Sequence, residues 1–292
     1  MKKLLTTLFV ALTFCSQAQS EKPILVSVQW LKEHLHDPNV VPLQVTYLKL
    51  DYDREHMEGA RYLWPEWLAP NSPEGSYNSP DIGKATELLR SYGITDQSHI
   101  ILYHIRNEVS PTARMFLTLE NLGLRGKVSF LNGGLEAWKK AGLPVTNKTS
   151  PVVRKGDIVL KQGNLLVNKD YVLKSLNTDQ AKVADARMKI YFDGEPVGNP
   201  RDGHIKGAIN IPFPDLLDSN NEFKPTDSLR SRFGVVPAAT KEIVTYCFIG
   251  QTASVVYMAG RMLGYDMKLY DGSMQEWSRI AELPMEKTEK KD

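Results

Sequence analysis

Residues 242–263 of this 292-residue chain form the stretch EIVTYCFIGQTASVVYMAGRML, which decides the fold prediction. Its first five residues are mostly apolar, aromatic or β-branched, as in a buried β-strand, and they end directly before Cys247. A turn-forming segment with Gly250 follows. An amphipathic pattern then runs from Ala253 to Leu263, and the next residue is a glycine that ends the helix. The stretch predicts a strand, a cysteine, a tight loop and a helix, in that order.

Cys247 lies where this geometry activates sulfur. Backbone N–H groups of the loop and of the helix N-terminus would converge on the thiolate and stabilise its negative charge. A thiolate held in this way is a nucleophile suited to covalent chemistry. The alternative is a small buried hydrophobe at a strand end, because free cysteines are often buried and inert. The predicted active-site loop comprises Phe248, Ile249, Gly250, Gln251 and Thr252.

The first residues predict export. Residues 1–19 have the parts of a signal peptide, namely a positive start, an apolar run and small residues for cleavage: Met1-Lys-Lys3, Leu4 to Phe14 and Ser16-Gln-Ala18. The apolar run is too short to span a bilayer, and no later run is long enough, so no membrane span is expected. The mature chain is therefore predicted to be periplasmic or secreted.

The two cysteines of the chain are Cys15 and Cys247. A lipoprotein reading would make Cys15 a lipid anchor, but Phe14 is bulky where that signal needs a small residue. If residues 1–19 are removed, Cys247 is the single thiol of the mature protein. An unpaired thiol is a liability in an oxidising compartment, so its presence suggests that the protein uses it.

Composition is that of an ordinary globular protein, with 24% charged residues, 42% hydrophobic residues and a net charge of +2. The sequence has no basic stripe of the kind that would predict nucleic-acid binding. The length exceeds what a single small core needs, so two domains are expected. Nothing in the sequence predicts an oligomeric state.

The chain repeats itself in three places. The order of the three matches is kept, and the offset between them shrinks from 148 to 139 residues, as small deletions would produce. Three matches in register indicate a duplicated domain. The matched pairs are His56-Met-Glu-Gly-Ala60 with His204-Ile-Lys-Gly-Ala208, Ile100-Ile-Leu-Tyr103 with Glu242-Ile-Val-Thr-Tyr246, and Phe130 to Trp138 with Leu269 to Trp277.

Strands alternate with helices in each half, which predicts a parallel sheet covered on both faces. The segment Pro144 to Asp157 mixes Pro, Thr, Ser and Lys without apolar periodicity and is the predicted linker. The domain boundary is therefore placed near residue 150, giving domains 20–150 and 151–292. The strands predicted in the second half are Lys182–Asp185, Ala208–Ile211, Glu242–Tyr246 and Met267–Tyr270.

These motifs together resemble the tandem-domain rhodanese family of sulfurtransferases, over essentially the whole mature chain. The motif that supports this resemblance most strongly is Cys247-Phe-Ile-Gly-Gln-Thr-Ala-Ser254. Further support comes from Asp185-Ala-Arg187 and Pro200-Arg-Asp-Gly-His204. The resemblance implies an α/β fold of two rhodanese-like domains, each a parallel sheet flanked by helices. It also implies a catalytically silent N-terminal domain, and His104 occupies the place there that Cys247 holds in the second half.

The resemblance further implies sulfur transfer through a Cys247 persulfide, without cofactor or metal. The donor would be 3-mercaptopyruvate or thiosulfate, and the acceptor a thiol or cyanide. Arg187 and Arg201 resemble the substrate-binding arginines of the family, since a guanidinium fork matches a carboxylate or sulfonate. Asp185 is expected to be a structural partner. His56 is either architectural or a proton carrier facing the site.

The loop departs from the usual family forms. Its side chains are uncharged, which disfavours the thiosulfate dianion, and Ile249 stands where mercaptopyruvate-preferring relatives tend to have a serine. The donor prediction therefore favours 3-mercaptopyruvate only weakly. One alternative is a persulfide carrier or binding module without turnover. A phosphatase of the related fold is another, but it needs a loop arginine where Ala253 and Ser254 stand.

Overall fold

Two five-stranded parallel sheets form the framework of the chain. The structure is a computed structural model that describes residues 21–73 and 75–288. The predicted signal peptide, residues 1–19, lies outside the described residues, so its prediction stays untested. Within the described ranges, no helix has the length and apolar character needed to cross a membrane.

The first half contains strands β1 to β5 and helices α1 to α5. The strands are β1 Leu25–Val26, β2 Val40–Val45, β3 Arg61–Leu63, β4 His99–His104 and β5 Val128–Leu131. The helices are α1 Val28–His34, α2 Lys49–Arg54, α3 Ile82–Ser91, α4 Val109–Leu119 and α5 Gly134–Lys140. A π-helical turn, Glu120–Leu124, extends α4, and a 3-10 turn spans Pro65–Trp67.

The second half repeats this order and adds a small antiparallel pair, β8 with β12. Its strands are β6 Leu166–Val167, β7 Ala181–Asp185, β8 His204–Ile205, β9 Ile209–Asn210, β10 Glu242–Tyr246, β11 Asp266–Tyr270 and β12 Met285–Glu286. Its helices are α6 Lys169–Ser175, α7 Lys189–Phe192, α8 Thr226–Arg232, α9 Ala253–Met262 and α10 Ser273–Trp277. Two 3-10 turns span Phe213–Leu216 and Phe233–Val235.

The predicted strands of the second half are confirmed, with small shifts at their ends. The strand after Ala208 is shorter than expected, and β9 is an edge strand, where little pairing holds it. Helix α9 ends at Met262, one residue before the predicted end.

The two sheets have the same topology, which confirms the duplication. The strand orders are β1-β5-β4-β2-β3 and β6-β11-β10-β7-β9. The registers also correspond, because Tyr103 lies opposite Gln44 in the first sheet and Tyr246 lies opposite Asp185 in the second. His104 and Cys247 therefore occupy equivalent places at the carboxyl end of a central strand. In open parallel sheets that end is where ligands bind.

The hydrophobic core continues across the boundary between the halves. One face of each sheet packs on a cluster of its own, whereas the other faces share a cluster that includes α4 and α9. Helix α4 is buried at every position, and α9 is buried from Ala253 to Gly260. A helix buried on all sides lies between two layers instead of at the surface. The two helices thus join the halves into one packed unit.

The segment after the predicted linker runs along the first half before the second sheet begins. The N–H of Gly156 donates to the Arg90 carbonyl at 2.8 Å, and that of Lys161 donates to Leu122 at 3.0 Å. Ile158 is fully buried in the shared cluster. The domain boundary near residue 150 stays a prediction, and these contacts tie the connecting chain to the N-terminal half.

Candidate active site

Cys247 follows β10 directly, and backbone contacts fix its place. Its N–H donates to the Ser273 hydroxyl oxygen at 3.3 Å, and its carbonyl accepts from the Met274 N–H at 3.1 Å. The Ser273 hydroxyl in turn donates to the Tyr270 carbonyl at 3.0 Å. Ser273 adopts φ +48°, a left-handed conformation uncommon for a residue with a Cβ. The segment Asp271-Gly-Ser273, which lies in the repeated stretch Leu269 to Trp277, therefore holds the backbone of the cysteine.

The carbonyl groups of the loop after Cys247 are held by surrounding donors. Phe248 accepts from the Gln275 N–H at 2.9 Å, and Gln251 accepts from the Ser254 N–H at 3.1 Å. The Gly250 carbonyl accepts from the Ser254 hydroxyl at 3.3 Å, and a side chain of the N-terminal half also donates to it, as described below.

The N–H groups of residues 248–252, in contrast, donate to no acceptor in the part of the chain that the structure describes. Backbone N–H groups that remain unsatisfied beside a buried site form a cradle for an anion. These N–H groups are uncommitted, which is what the predicted role of the loop as a donor to a thiolate or persulfide requires.

Gly250 is required at the centre of the loop. Its φ of +79° is the left-handed conformation that glycine adopts without strain. A Cβ at this position would lie 3.1 Å from Nη1 of Arg114 and 3.3 Å from the Asp271 carbonyl. Both the backbone conformation and the close approach of neighbours exclude a larger residue.

The N-terminal half reaches the loop through residues that the sequence analysis missed. Arg114, on α4, is fully buried and donates to the Gly250 carbonyl at 3.2 Å and to Oδ1 of Asp271 at 2.7 Å. The Gln251 side chain donates to the hydroxyls of Tyr47, at 3.0 Å, and of Tyr77. No local signal in the sequence marks these residues, because their roles arise from packing between segments more than 130 positions apart.

Burial affects the titration of Tyr47 in this contact. Desolvation raises the pKa of Tyr47 to about 12, although the hydrogen bond from Gln251 acts in the opposite direction. Tyr47 is therefore a neutral hydroxyl at physiological pH, and its oxygen accepts the bond from the Gln251 amide.

Phe248 forms an aromatic wall beside the cysteine. Its ring packs edge-on against Tyr191 with centroids 5.4 Å apart, and Cζ of Arg187 lies 5.0 Å from the Phe248 centroid. Met188 and Ile190, which lie between Arg187 and Tyr191 in the sequence, are 42% and 53% exposed. The surroundings of the loop are thus less polar than a site built for a small dianion.

Arg187 is buried and paired with Asp185. Its Nε and Nη2 atoms donate to the carboxylate at 2.6–3.1 Å, and Nη2 also donates to the Gly203 carbonyl at 2.7 Å. Burial acts to lower the pKa of Arg187, but Asp185 outweighs it and raises the pKa, with a smaller contribution from Cys247. Among the described residues, Nη1 has no hydrogen-bond partner, so this edge is uncommitted, and the side chain as a whole is 1% exposed.

Arg201 is committed to the backbone of the segment 277–283. Each of its five N–H groups has a carbonyl acceptor, and the acceptors are Trp277 at 2.8 Å, Ser278 at 3.1 Å, Ile280, Ala281 at 3.3 Å and Leu283 at 2.9 Å. The predicted substrate-binding role of Arg201 stays a prediction, and no N–H of this side chain is free to carry it in the present arrangement.

His56 lies among residues of the N-terminal half. Its ring stacks on Tyr52 at 4.0 Å, and its nitrogens face the carbonyls of Tyr52 at 2.7 Å and Lys148 at 3.2 Å. His204 repeats this arrangement by stacking on Phe192 at 3.6 Å. The structure thus places both histidines in equivalent positions, and within the described ranges no hydrogen bond or ring contact joins His56 to the active-site loop.

His104, which replaces the cysteine in the first half, is buried and neutral. Burial disfavours the charged ring and lowers its pKa to about 4. Nδ1 faces the Arg106 carbonyl at 3.2 Å, and Nε2 has no partner within the described ranges. A neutral imidazole packed in this way supplies no nucleophilic thiolate, which accords with the predicted silence of the first domain.

The fold and this site define a class of protein. The family model for the rhodanese-like domain matches residues 27–141 and 168–280, so the chain belongs to the rhodanese family with two such domains. It is a sulfurtransferase, and its substrates are small molecules.

The chain is also similar to individual proteins of known name. The chain is 30% identical over 283 residues to the 3-mercaptopyruvate sulfurtransferase of Escherichia coli K12, covering 89% of this chain and 97% of the relative. It is 29% identical to the sulfur carrier protein TtuD of Thermus thermophilus, covering 91% and 97%. The crystal structure of the 3-mercaptopyruvate enzyme SseA from Escherichia coli matches with a TM-score of 0.75 and 28% identity, covering 86% of this chain and 99% of that one.

Proposed function

We propose that this sulfurtransferase carries sulfur on Cys247 as a persulfide, with 3-mercaptopyruvate as the preferred donor and a thiol or cyanide as the acceptor. The observation that supports the proposal best is the row of free N–H groups at residues 248–252 beside a buried cysteine. Such donors stabilise an anionic sulfur through the backbone, without a charged side chain in the loop. The uncharged loop side chains and the names of two relatives at 30% and 32% identity favour 3-mercaptopyruvate over thiosulfate, whereas other relatives are named for thiosulfate.

The chemistry has two steps. The Cys247 thiolate attacks the sulfur of 3-mercaptopyruvate, the carbon–sulfur bond breaks, and its electron pair goes to carbon as the enolate of pyruvate. The proton of the thiol group moves to that carbon, so pyruvate leaves and a persulfide anion remains. An acceptor thiolate or cyanide then attacks the outer sulfur, the sulfur–sulfur bond breaks, and the Cys247 thiolate is restored.

Donor binding is proposed to use the free edge of Arg187. Nη1 is the part of this guanidinium without a partner among the described residues, and a carboxylate is its natural ligand. Phe248, whose ring lies against the same guanidinium, would cover the bound donor. Arg201 remains a second proposed contact only if its bonds to segment 277–283 rearrange.

The decisive variant is Cys247→Ser, with Cys15→Ser as the matched control, both made in the unprocessed chain, because these are its two cysteines. We expect Cys247→Ser to abolish cyanide-dependent turnover of 3-mercaptopyruvate and the mass gain of one sulfur, while Cys15→Ser retains both. Substantial turnover by a folded Cys247→Ser variant would contradict the mechanism. A kcat/KM for thiosulfate about tenfold above that for 3-mercaptopyruvate would overturn the donor assignment.

A second candidate is a sulfur carrier that loads once and hands its sulfur to a protein. The similarity to the carrier TtuD favours considering it. Both candidates predict a persulfide on Cys247, but only a turnover enzyme releases many thiocyanate molecules per protein when cyanide is supplied. Steady-state thiocyanate formation therefore distinguishes the two.

Export is part of the proposal and rests on residues 1–19 alone. We expect the protein to appear in the periplasm or the medium with its new N-terminus near Gln19. N-terminal sequencing of the protein purified from its native cells tests this. An intact Met1 in the cytoplasmic fraction would contradict it.

A further inference from the structure

The N-terminal half contributes a buried cation to the active-site loop of the C-terminal half. Arg114 lies in α4, has no exposed surface, and donates to three acceptors in different segments. These are the carbonyl of Gly250 at 3.2 Å, the carboxylate of Asp271 at 2.7 Å and the carbonyl of Tyr77. Among the described residues, Asp271 is the one carboxylate paired with Arg114, and because the side chain is fully buried its protein partners, not solvent, position the guanidinium.

The contact with Gly250 controls the direction of a peptide group in the loop. In a trans peptide, the carbonyl of one residue and the N–H of the next point in opposite directions. Because Arg114 holds the Gly250 carbonyl on its own side, the N–H of Gln251 points away from Arg114. That N–H belongs to the set without a protein acceptor, which the proposed function assigns to the sulfur anion.

A second tether acts on the neighbouring side chain. The Gln251 amide donates to the hydroxyls of Tyr47 and Tyr77, which both belong to the N-terminal half. Arg114 also donates to the Tyr77 backbone, so one segment of the first half holds the loop by two routes. A glycine-centred loop has little intrinsic rigidity, because glycine populates many backbone conformations. The tethers therefore supply order that the loop sequence lacks.

We infer that Arg114 is a positioning residue for sulfur transfer, which orients the loop N–H groups toward the Cys247 sulfur from the otherwise silent domain. This inference rests on the proposed persulfide function and adds a contribution of the first domain to it. Loss of one preorganised donor to an oxyanion lowers kcat by roughly 10²–10³-fold. Because a sulfur anion is softer than an oxyanion, we expect a smaller loss here, of about tenfold or more in kcat.

The chain offers a matched control for a merely structural role. Arg261 of α9 pairs with Glu120 of the first half at 2.6 Å, and both side chains are almost fully buried. This pair also joins the two halves, and Tyr257 shares the same carboxylate. It has no contact with residues 248–252, so its loss weakens the domain contact without releasing the loop.

The test compares Arg114→Gln, Arg114→Lys and Arg261→Gln with wild type. The rate of Cys247 alkylation by iodoacetamide is followed from pH 6 to 9, and kcat and KM are measured for 3-mercaptopyruvate with cyanide. We expect Arg114→Gln to slow alkylation at pH 7 and to lower kcat by about tenfold or more, with a smaller change in KM. Arg114→Lys should recover part of both rates, and Arg261→Gln should stay within about twofold of wild type.

Urea unfolding separates folding from positioning. Both glutamine variants lose a buried ion pair, so we expect both to be destabilised. If Arg114→Gln does not fold, Arg114→Lys decides, because it keeps the charge beside Asp271 but lacks the fork that reaches Gly250 as well.

Wild-type alkylation and kcat in the folded Arg114 variants would overturn the inference, as would an equal loss in Arg261→Gln. Failure of the proposed function is distinguishable, since it would appear as turnover in Cys247→Ser. The alkylation rates report on the loop whichever donor the enzyme uses.

Discussion

Single residues in this site take roles that their neighbours decide. Arg187 and Asp185 form a fully buried pair, with side-chain exposures of 1% and 0%. Their attraction offsets the cost of taking two charges out of water, and the Gly203 carbonyl satisfies a further N–H. Arg187 is thus foremost part of the architecture at the end of β7, and only its free edge is available to a ligand.

The first residue-scale prediction concerns this pair. Arg187→Ala should destabilise the protein by about 3–5 kcal/mol, because it leaves the Asp185 carboxylate buried without a counter-charge. The free energy of unfolding in urea measures the effect. The double variant Asp185→Asn/Arg187→Met, which removes both charges, should be more stable than Arg187→Ala. Equal unfolding free energies for wild type and Arg187→Ala would contradict the buried pair.

At the scale of elements, each half contains the same unit of strand, turn and helix, with different residues at the turn. Gly134 in the first half and Ser273 in the second both have positive φ, at +59° and +48°. A Cβ on Gly134 would lie 2.4 Å from the His104 carbonyl and 2.9 Å from its ring. In the second half Ser273 stands at this turn, and its hydroxyl accepts a hydrogen bond from the Cys247 N–H.

Exchange of these turn residues gives the element-scale prediction. Gly134→Ser should cost about 2 kcal/mol or more in unfolding free energy, since both the backbone conformation and the clash with His104 oppose it. Ser273→Gly should change stability by less than about 1 kcal/mol, because relief of strain offsets the lost hydrogen bond. We also expect Ser273→Gly to slow sulfur transfer. A larger loss of stability in Ser273→Gly than in Gly134→Ser would show that the two turns are not equivalent.

At the scale of the whole molecule, the two halves share one core through α4 and α9. Unfolding of either half exposes the face that the other half covers, so a single cooperative transition is expected. The buried histidines His99 and His104 both lie in the first half, and desolvation lowers the pKa of each to about 4. An acid effect on the first half should therefore reach the catalytic half.

The pH dependence of stability follows from the sign of these shifts. An unfolded histidine titrates near 6.5, whereas the folded rings titrate near 4, so between these values the unfolded chain binds more protons. Stability should fall as the pH falls from 6.5 to 4, by on the order of 3 kcal/mol per histidine at most. Urea unfolding at pH 7 and pH 4.5 measures this.

The matched variant is His99→Gln/His104→Gln, which removes both titrating rings. It should lose less stability than wild type over the same pH interval, whatever its stability at pH 7. An identical loss in the variant and in wild type would assign the acid sensitivity to other groups.

The duplication, the α/β class, the strand before Cys247 and the loop with Gly250 could all be predicted from the amino-acid sequence. These features are local, because strand and helix periods, glycine turns and repeated motifs depend on residues close to one another in the chain. The contacts of Arg114, Tyr47 and Tyr77 with the loop became visible in the packed halves and not before.

The tertiary structure also shows which acceptors the two predicted substrate-binding arginines contact. Arg187 donates from Nε and Nη2 to a carboxylate two residues away, and Arg201 donates from all of its N–H groups to the backbone of 277–283. A motif identifies a residue type at a position, but the direction of a buried guanidinium depends on which acceptors the packed halves bring within hydrogen-bond distance. Those acceptors belong to the fold, and the spacing of residues along the chain does not reveal them.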